Sequence, residues 1–375
     1  MLKLHVLNVE HGSSIVVEYD SGTEKAFGVV DSNLPRGVTV PKALTKLRQL
    51  GARKLSFVCL THPHVDHFKG LFEVIRAYEG SIDYFYSCPF GDLFHNEQRL
   101  KTFASKLRAL HQTSEGEPRK AALELLQIIR WAKQACESRS LDWRECAGEH
   151  LQLAPTGFTN VSVATILPPN RAKGDYIQNI DRQDGLILGT FEENAVSLAF
   201  EFSYHGTVIV IGGDGTAENW RDRRRWEKNR GVAINAKGVN LPHHGSRTDC
   251  SDEVLAQLFS ASGERAGVSS ANGHSHPSID AIKWMERNNV KPYCTNLIPQ
   301  CGANARQLLN VPNLDPRLNR WLNDVATNSA KVQVCQGDVT ITVDTAGLIS
   351  IDREVQNLCA YRGEFAAYGL HPSTP

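Results

Sequence analysis

The stretch LSFVCLTHPHVDHFKG, residues 55–70, constrains this chain more than any other. Leu55 to Leu60 is apolar but for Ser56 and contains no turn former, so it reads as a buried strand. His62, His64, Asp66 and His67 follow within six residues. Polar side chains at that density do not build a core, so a buried strand must end at a polar focus. Imidazole and carboxylate groups suit Zn, Mn or Fe. Residues 62, 64 and 66 cannot share one helical face, so a loop presents them. Two histidines two apart can hold one ion, and Asp66 with His67 a second beside it.

Three later motifs add donors of the same kind. Asp214 ends the apolar run TVIVI in IGGDG, where a carboxylate projects from a sheet edge; alone it is weak, because Asp is a common turn residue. His243 and His244 stand side by side in LPHHGSRTD and point to different sides, so that one binds metal and the other faces substrate. His274 and His276 lie in ANGHSHPS before a helical pattern.

Around these motifs the chain alternates short strands and helices. KLHVLNV, SSIVVEY and AFGVVD read as strands joined in two hairpins, and PKALTKLRQLGA as a helix stopped by Gly51. Residues 92–150 change character: two amphipathic helices joined by the polar turn TSEGEP form an insertion expected to overhang the site. Strands return in VSVATILPP, VSLAFEF and GTVIVIGGD. Helices are expected over SDEVLAQLFSAS and SIDAIKWMERNN, and a terminal hairpin over AKVQVCQGDVTITVDTAGLISI.

The ordered set THPHVDH, GD, HHGS and HP resembles the metallo-β-lactamase superfamily. More narrowly it is similar to the hydrolase domain of the competence protein ComEC, through the turn NVEHGSS, the strand end VVDSN and the LPP element at 167–169. The resemblance covers about residues 2–350. It implies an α/β fold, a four-layer αββα sandwich with the helical insertion at about 92–150, one hydrolase domain over 1–350 and a C-terminal tail at 351–375. It implies one or two divalent ions, Zn or Mn, held by His62 and His64, by Asp66 and His67, by a bridging Asp214 and by His243, with His244 as the alternative late ligand. Asp66, His244 and His276 then take the catalytic roles of orienting the nucleophile, protonating the leaving group and holding an oxyanion. One departure stands out. Where many members carry a third histidine ligand, this chain reads EENAVSLAF, so Asn194 or His276 is left to complete the first shell.

Substrate class is the open question. The resemblance implies a nuclease that hydrolyses DNA or RNA phosphodiesters with a metal-activated hydroxide. WRDRRRWEKNR, residues 220–230, supplies arginines for phosphates, Arg221 and Arg224 among them, and tryptophans for stacking; Asn194 is a further substrate contact. The plainer reading of that segment is a solvated helix whose tryptophans pack inward. The alternative function is a small-molecule hydrolase acting on a lactone, thioester or cyclic nucleotide; a non-catalytic binding module fits the retained ligands poorly. Lys plus Arg and Asp plus Glu balance at 41 each, so net charge decides nothing about nucleic acid. No apolar run reaches the ~20 residues of a membrane helix. The start MLKLHVLNVE reads as a strand and lacks the apolar stretch of a signal peptide, so a cytoplasmic setting without a membrane partner is expected, and in that setting the nine cysteines, which show no CxxC pattern, are expected as reduced thiols. A stand-alone nuclease working with a protein partner in a defence or nucleic-acid-processing system is the expectation the resemblance leaves.

Overall fold

The computed structural model describes residues 1–89, 104–105, 107–109, 111–112, 116–182, 191–271, 275–296 and 337–354. Much of the expected first insertion helix, His274 and most of the C-terminal tail lie outside these residues.

The first sheet begins as the expected meander of β1 (Leu2–Val6), β2 (Ile15–Asp20) and β3 (Lys25–Val30). It continues through β4 (Leu55–Leu60), β5 (Ile82–Ser87) and β6 (Asp142–Glu145), each parallel to its neighbour. The second sheet runs antiparallel through β7 (Leu151–Leu153), β8 (Ser162–Leu167), β9 (Ala199–Tyr204) and β10 (Thr207–Ile211). It then runs parallel from β10 through β11 (Ala236–Asn240), β12 (Arg265–Ser269) and β13 (Val290–Cys294). The terminal hairpin, β14 (Val339–Val343) and β15 (Ile349–Arg353), returns to β1, so the first sheet reads β15-β14-β1-β2-β3-β4-β5-β6 and the second β13-β12-β11-β10-β9-β8-β7.

Helices flank both sheets. On the first lie α1 (Lys42–Gln49), α2 (Val65–Phe68), α3 (Leu71–Ala77) and α4 (Gly116–Glu137). After α5 (Asn170–Arg182) and the single turn α6 (Phe191–Asn194), the second sheet is covered by α7 (Ala217–Arg230), α8 (Asp252–Leu258) and α9 (Ile279–Arg287). This is the four-layer αββα sandwich. Between the sheets, Tyr19 and Phe57 of the first meet Phe158 and Tyr204 beside and on the second. Outside the second sheet, Trp220, Leu255, Leu258, Ile282 and Met285 cover Val210 and Val239. β4 is buried along its whole length, which is why its sequence is apolar but for Ser56.

The insertion is corrected in part. Residues 142–145 form a strand, not helix, so α4 is the crossover between β5 and parallel β6. Glu124 on α4 accepts the amides of Gly70 (2.7 Å) and Phe72 (3.4 Å), so α4 packs on the segment that follows the metal motif. Burial raises that carboxyl to about 7. The final hairpin is tied down by buried Asp338, which binds Lys42 (2.6 Å), Lys46 (3.3 Å) and the Asn8 amide (2.9 Å).

A second buried carboxylate, Glu18, bonds Lys25 (2.9 Å) and His5 (3.1 Å) across neighbouring strands of the meander. Burial raises its pKa, but His5, Lys25 and Lys3 outweigh that and bring it to about 2, from 4.5. A depressed folded-state pKa adds stability that is present above the unfolded value and is lost as pH falls through the folded one. Thermal melts between pH 5 and pH 2 are therefore expected to fall more steeply for the natural chain than for Glu18→Gln. Parallel curves would refute this role.

Candidate metal centre

The site forms where strands of both sheets end. His62 and His64 lie on the turn that leaves β4, Asp66 and His67 on the single-turn α2 that follows it rather than on the expected loop, Asp214 follows β10 and His243–His244 follow β11, all in the parallel halves, where side chains beyond the carboxyl ends of strands converge. Two groups of potential ligands result: His62, His64 and Asp214 in one, Asp66, His67 and His244 in the other, with ligand atoms of each group within 4.8 Å of one another. Asp214 joins them. Its Oδ2 lies 3.7 Å from His62 Nε2 and 3.7 Å from His244 Nε2, and its Oδ1 lies 3.4 Å from His67 Nε2.

Close backbone packing sets these positions. Gly12, at φ +94°, lies against the Asp66 carbonyl so tightly that a Cβ would sit 2.1 Å from that oxygen. The Ser13 amide bonds the same carbonyl at 3.1 Å. Gly213 turns the chain at φ +52° under the Leu198 carbonyl, where a Cβ would come within 2.2 Å. His243 and His244 both adopt left-handed backbone (φ 44° and 56°), a strained arrangement costing about 1–3 kcal/mol per residue. Gly245 and the Ser269 hydroxyl, which donates to the His244 carbonyl, hold that turn.

Four of the histidines have a partner at the ring. His67 Nδ1 meets Asp31 Oδ2 at 2.7 Å, and Asp31 also accepts the Thr61 amide (2.8 Å) and hydroxyl (2.7 Å). His62 Nδ1 faces Thr61 Oγ1 (3.0 Å) and Ser197 Oγ (3.3 Å); Ser197 Oγ also accepts the Asp214 amide at 2.8 Å. His64 Nε2 meets Glu193 Oε2 at 3.2 Å. His243 Nδ1 meets Asp249 Oδ2 at 2.6 Å.

The donor set fits divalent ions. The Nε2 atoms of His62, His67 and His244 are buried and have no hydrogen-bond partner, an arrangement that costs free energy unless something occupies the space they face. The charges agree. Burial opposes ionisation of Asp66 and Asp214, yet His67 and its neighbours hold both carboxyls well below the usual range. Burial also opposes a charge on His67, but Asp214, Asp31 and Asp66 outweigh it and raise His67 well above its ordinary value. Burial, with His67 and His64 nearby, lowers His62 well below its own, so it keeps a lone pair. The cluster thus demands positive charge at its centre.

Among the sequence-predicted ligands, His62, His64, Asp66, His67 and Asp214 come together. The late histidine grouped with them is His244; His243 Nε2 lies 3.7 Å from Asp214 Oδ2 but stands outside both groups. The rings of His276 and His243 are 5.5 Å apart, and those of His276 and His244 6.3 Å. Burial, then His244 and His243, lower His276 to about 4. Asn194 is buried beside Glu193, its Oδ1 without a hydrogen-bond partner. Of the two readings of the 220–230 segment, the plainer one, a helix with tryptophan packed inward, holds at Trp220. Trp220 is completely buried in the core and cannot stack on a base, and Arg223 is buried against Glu227 at 2.8 Å and over the Trp226 ring. Arg221 remains exposed, and Arg224 reaches Glu253 at 3.7 Å.

Sequence reasoning missed four groups: Asp31, Asp249, Glu193 as the partner of His64, and His11. His11 is 58% exposed at its side chain and lies 3.2 Å from Asp66 Oδ2, whose hydrogen bond raises its pKa. The turn NVEHG was the available signal, but nothing in it says that its histidine folds back onto Asp66.

Comparison with known proteins finds one family match and several distant structural likenesses. The Metallo-beta-lactamase superfamily profile matches residues 8–84. No curated protein matches the chain significantly. Similar solved structures include a CmlA beta-hydroxylase mutant, at 12% identity and TM-score 0.41 over 79% of this chain and 52% of that one. This chain therefore spans about half the length of that protein. Others are a metallo hydrolase from the archaeon Ignicoccus hospitalis KIN4/I (15% identity, 80% of this chain, 95% of that, TM-score 0.39) and YhfI from Bacillus subtilis (11%, 78%, 95%, 0.37).

Replacing Gly12 with Ala is expected to displace Asp66. Urea unfolding in chelator should show a loss of about 1–3 kcal/mol from the positive φ alone, and bound metal should fall. Unchanged metal content would show that the glycine contact does not place Asp66. The sandwich that carries this centre is the fold of the metallo-β-lactamase superfamily.

Proposed function

We propose that this protein is a metal-dependent hydrolase that cleaves phosphodiester bonds of DNA or RNA. One observation carries the hydrolase reading: a single buried carboxylate, Asp214, whose two oxygens reach the ligand nitrogens of two adjacent triads. When bound, divalent ions such as Zn or Mn supply Lewis acidity and a water acidic enough to attack at neutral pH. The protein does the rest. His62, His64, Asp66, His67, Asp214 and His244 hold the centre, with His243 fixed beside it by Asp249. Asp66, which His11 meets from the solvent side, orients the attacking water. His276, facing His243 and His244, offers a ring nitrogen to a substrate oxygen.

The phosphodiester reading rests on the ComEC-like order of the motifs and on exposed Arg221, Arg224 and Arg225, which follow Asp214 on α7. With Trp220 and Arg223 committed to packing, contact with nucleic acid falls to phosphate-directed arginines alone. The same burial is what favours the second reading, a hydrolase of lactones, thioesters or cyclic nucleotides. A protein partner and a cytoplasmic setting belong to the first reading; the structure itself contributes only that none of the described helices is long and apolar enough to cross a membrane.

The test is incubation of the purified chain with labelled single- and double-stranded DNA and RNA, supplied with Mn, Mg or Zn. Asp66→Ala should abolish cleavage while leaving the melting temperature of the metal-free protein near its original value. Replacing Arg221, Arg224 and Arg225 together with Ala should weaken nucleic-acid binding, and each lost phosphate contact should lower the log–log salt slope by roughly 0.7–0.9. Bis-p-nitrophenyl phosphate should still be hydrolysed by that triple variant. If no nucleic acid is cut with any metal while a lactone or thioester is, the small-molecule reading replaces this one.

A further inference from the structure

We infer that Glu193 is a positioning residue that sets the metal affinity of the first triad through His64, independently of the second triad. This rests on the reading of both triads as metal sites. Glu193 occupies the stretch where many metallo-β-lactamase-like chains carry a third histidine ligand, and it is only 2% exposed. Its Oε2 lies 3.2 Å from His64 Nε2. It does not belong to either group of converging ligand atoms. It therefore acts on the centre from behind a ligand.

The backbone around Glu193 is fastened to the metal loop. The Val196 amide bonds the Glu193 carbonyl at 3.3 Å, and the Ser197 amide bonds that of Asn194 at 3.1 Å. The Leu198 amide bonds the Thr61 carbonyl at 3.1 Å, one residue before His62. A carboxylate held this way fixes the His64 ring. In the tautomer that donates from Nε2, it leaves the other ring nitrogen with the lone pair. It also makes the imidazole a stronger donor, an effect of outer carboxylates usually worth 10–100-fold in metal affinity.

The two triads are backed differently. In the first, the partners of His62 Nδ1 are hydroxyls, from Thr61 and Ser197, so the carboxylate behind this triad is that of Glu193. In the second, Asp31 stands behind His67. Neutralising Glu193 should therefore weaken one ion and spare the other.

The experiment uses the whole chain, stripped with chelator and titrated with Zn(II) at buffered free concentrations, with bound metal counted by mass spectrometry. The natural protein should take up two ions. Glu193→Gln should need 10–100-fold more free zinc for one of them and the same concentration for the other. With Co(II) in place of zinc, the visible absorption of only the weakened site should change. The melting temperature of the metal-free variant should match that of the natural chain. Glu193→Asp, whose carboxylate is drawn back by one methylene, should fall between the two, and the same titration stands on it alone if Glu193→Gln does not fold. Two unchanged affinities, or an equal loss at both sites, would overturn the role of Glu193 while leaving the metal centre in place. A natural protein that takes up neither zinc nor cobalt would sink the metal-site reading itself, and this inference with it.

Discussion

Everything around the candidate site depends on one electrostatic constraint: carboxylates taken out of water and surrounded by imidazoles. Asp31 and Asp214 are buried, and Asp66 is largely so. An isolated buried carboxylate is too costly to keep ionised, and it survives only when paired and hydrogen-bonded. Asp31 meets the demand with His67 and both polar groups of Thr61. Asp214 and Asp66 are left facing ring nitrogens, and His67 lies nearest the middle of the negative charge. Its strongly raised pKa and the unpartnered Nε2 atoms around it express one fact, that a cation belongs at the centre.

That constraint explains why the backbone accepts local strain. Two sheets deliver the ligands from separate strand ends, so the loops must approach each other more closely than ordinary packing allows. Gly12 against the Asp66 carbonyl and Gly213 against the Leu198 carbonyl are the tightest of these approaches around the site. His243 and His244 take left-handed conformations to turn both rings inward after β11. The Leu198–Thr61 hydrogen bond then joins the second sheet's entry to the first sheet's exit, so that His62, Ser197 and Asp214 form one connected unit.

Much of this was legible in the sequence because it follows from strong local patterns. The apolar run before His62 located β4, and the resemblance carried by the ordered short motifs implied the αββα sandwich and named five of the six side chains that converge in the two groups. The strands of the second sheet's parallel half were harder. AKGVN, RAGVS and VKPYC are short, carry glycine, charge or proline, and form strands through their neighbours more than through their own propensity. Pro292 fits because β13 is an edge strand. The choice between His243 and His244 was not legible at all, since it turns on two left-handed residues and on Asp249, which captures the first ring. The WRDRRRWEKNR segment follows the plainer of its two readings. Its composition suggests a nucleic-acid surface, but Thr216 caps it into a helix whose inner face must be filled, and Trp220 and Arg223 fill it.

The pattern of partners behind the histidines bears on how such a site can diverge. The ligands themselves are constrained by geometry, because each must reach a shared point. The groups behind them need only present an acceptor to a ring nitrogen, and here those acceptors differ: an aspartate behind His67, two hydroxyls behind His62, a glutamate behind His64 and an aspartate behind His243. An acceptor's charge alters how strongly its histidine donates without moving the ligand. In this chain the 193–197 stretch supplies no histidine and instead places the Glu193 carboxylate against His64. Asp214 spans the two halves, while separate buried acids, Glu193 and Asp31, each stand against a histidine of one half.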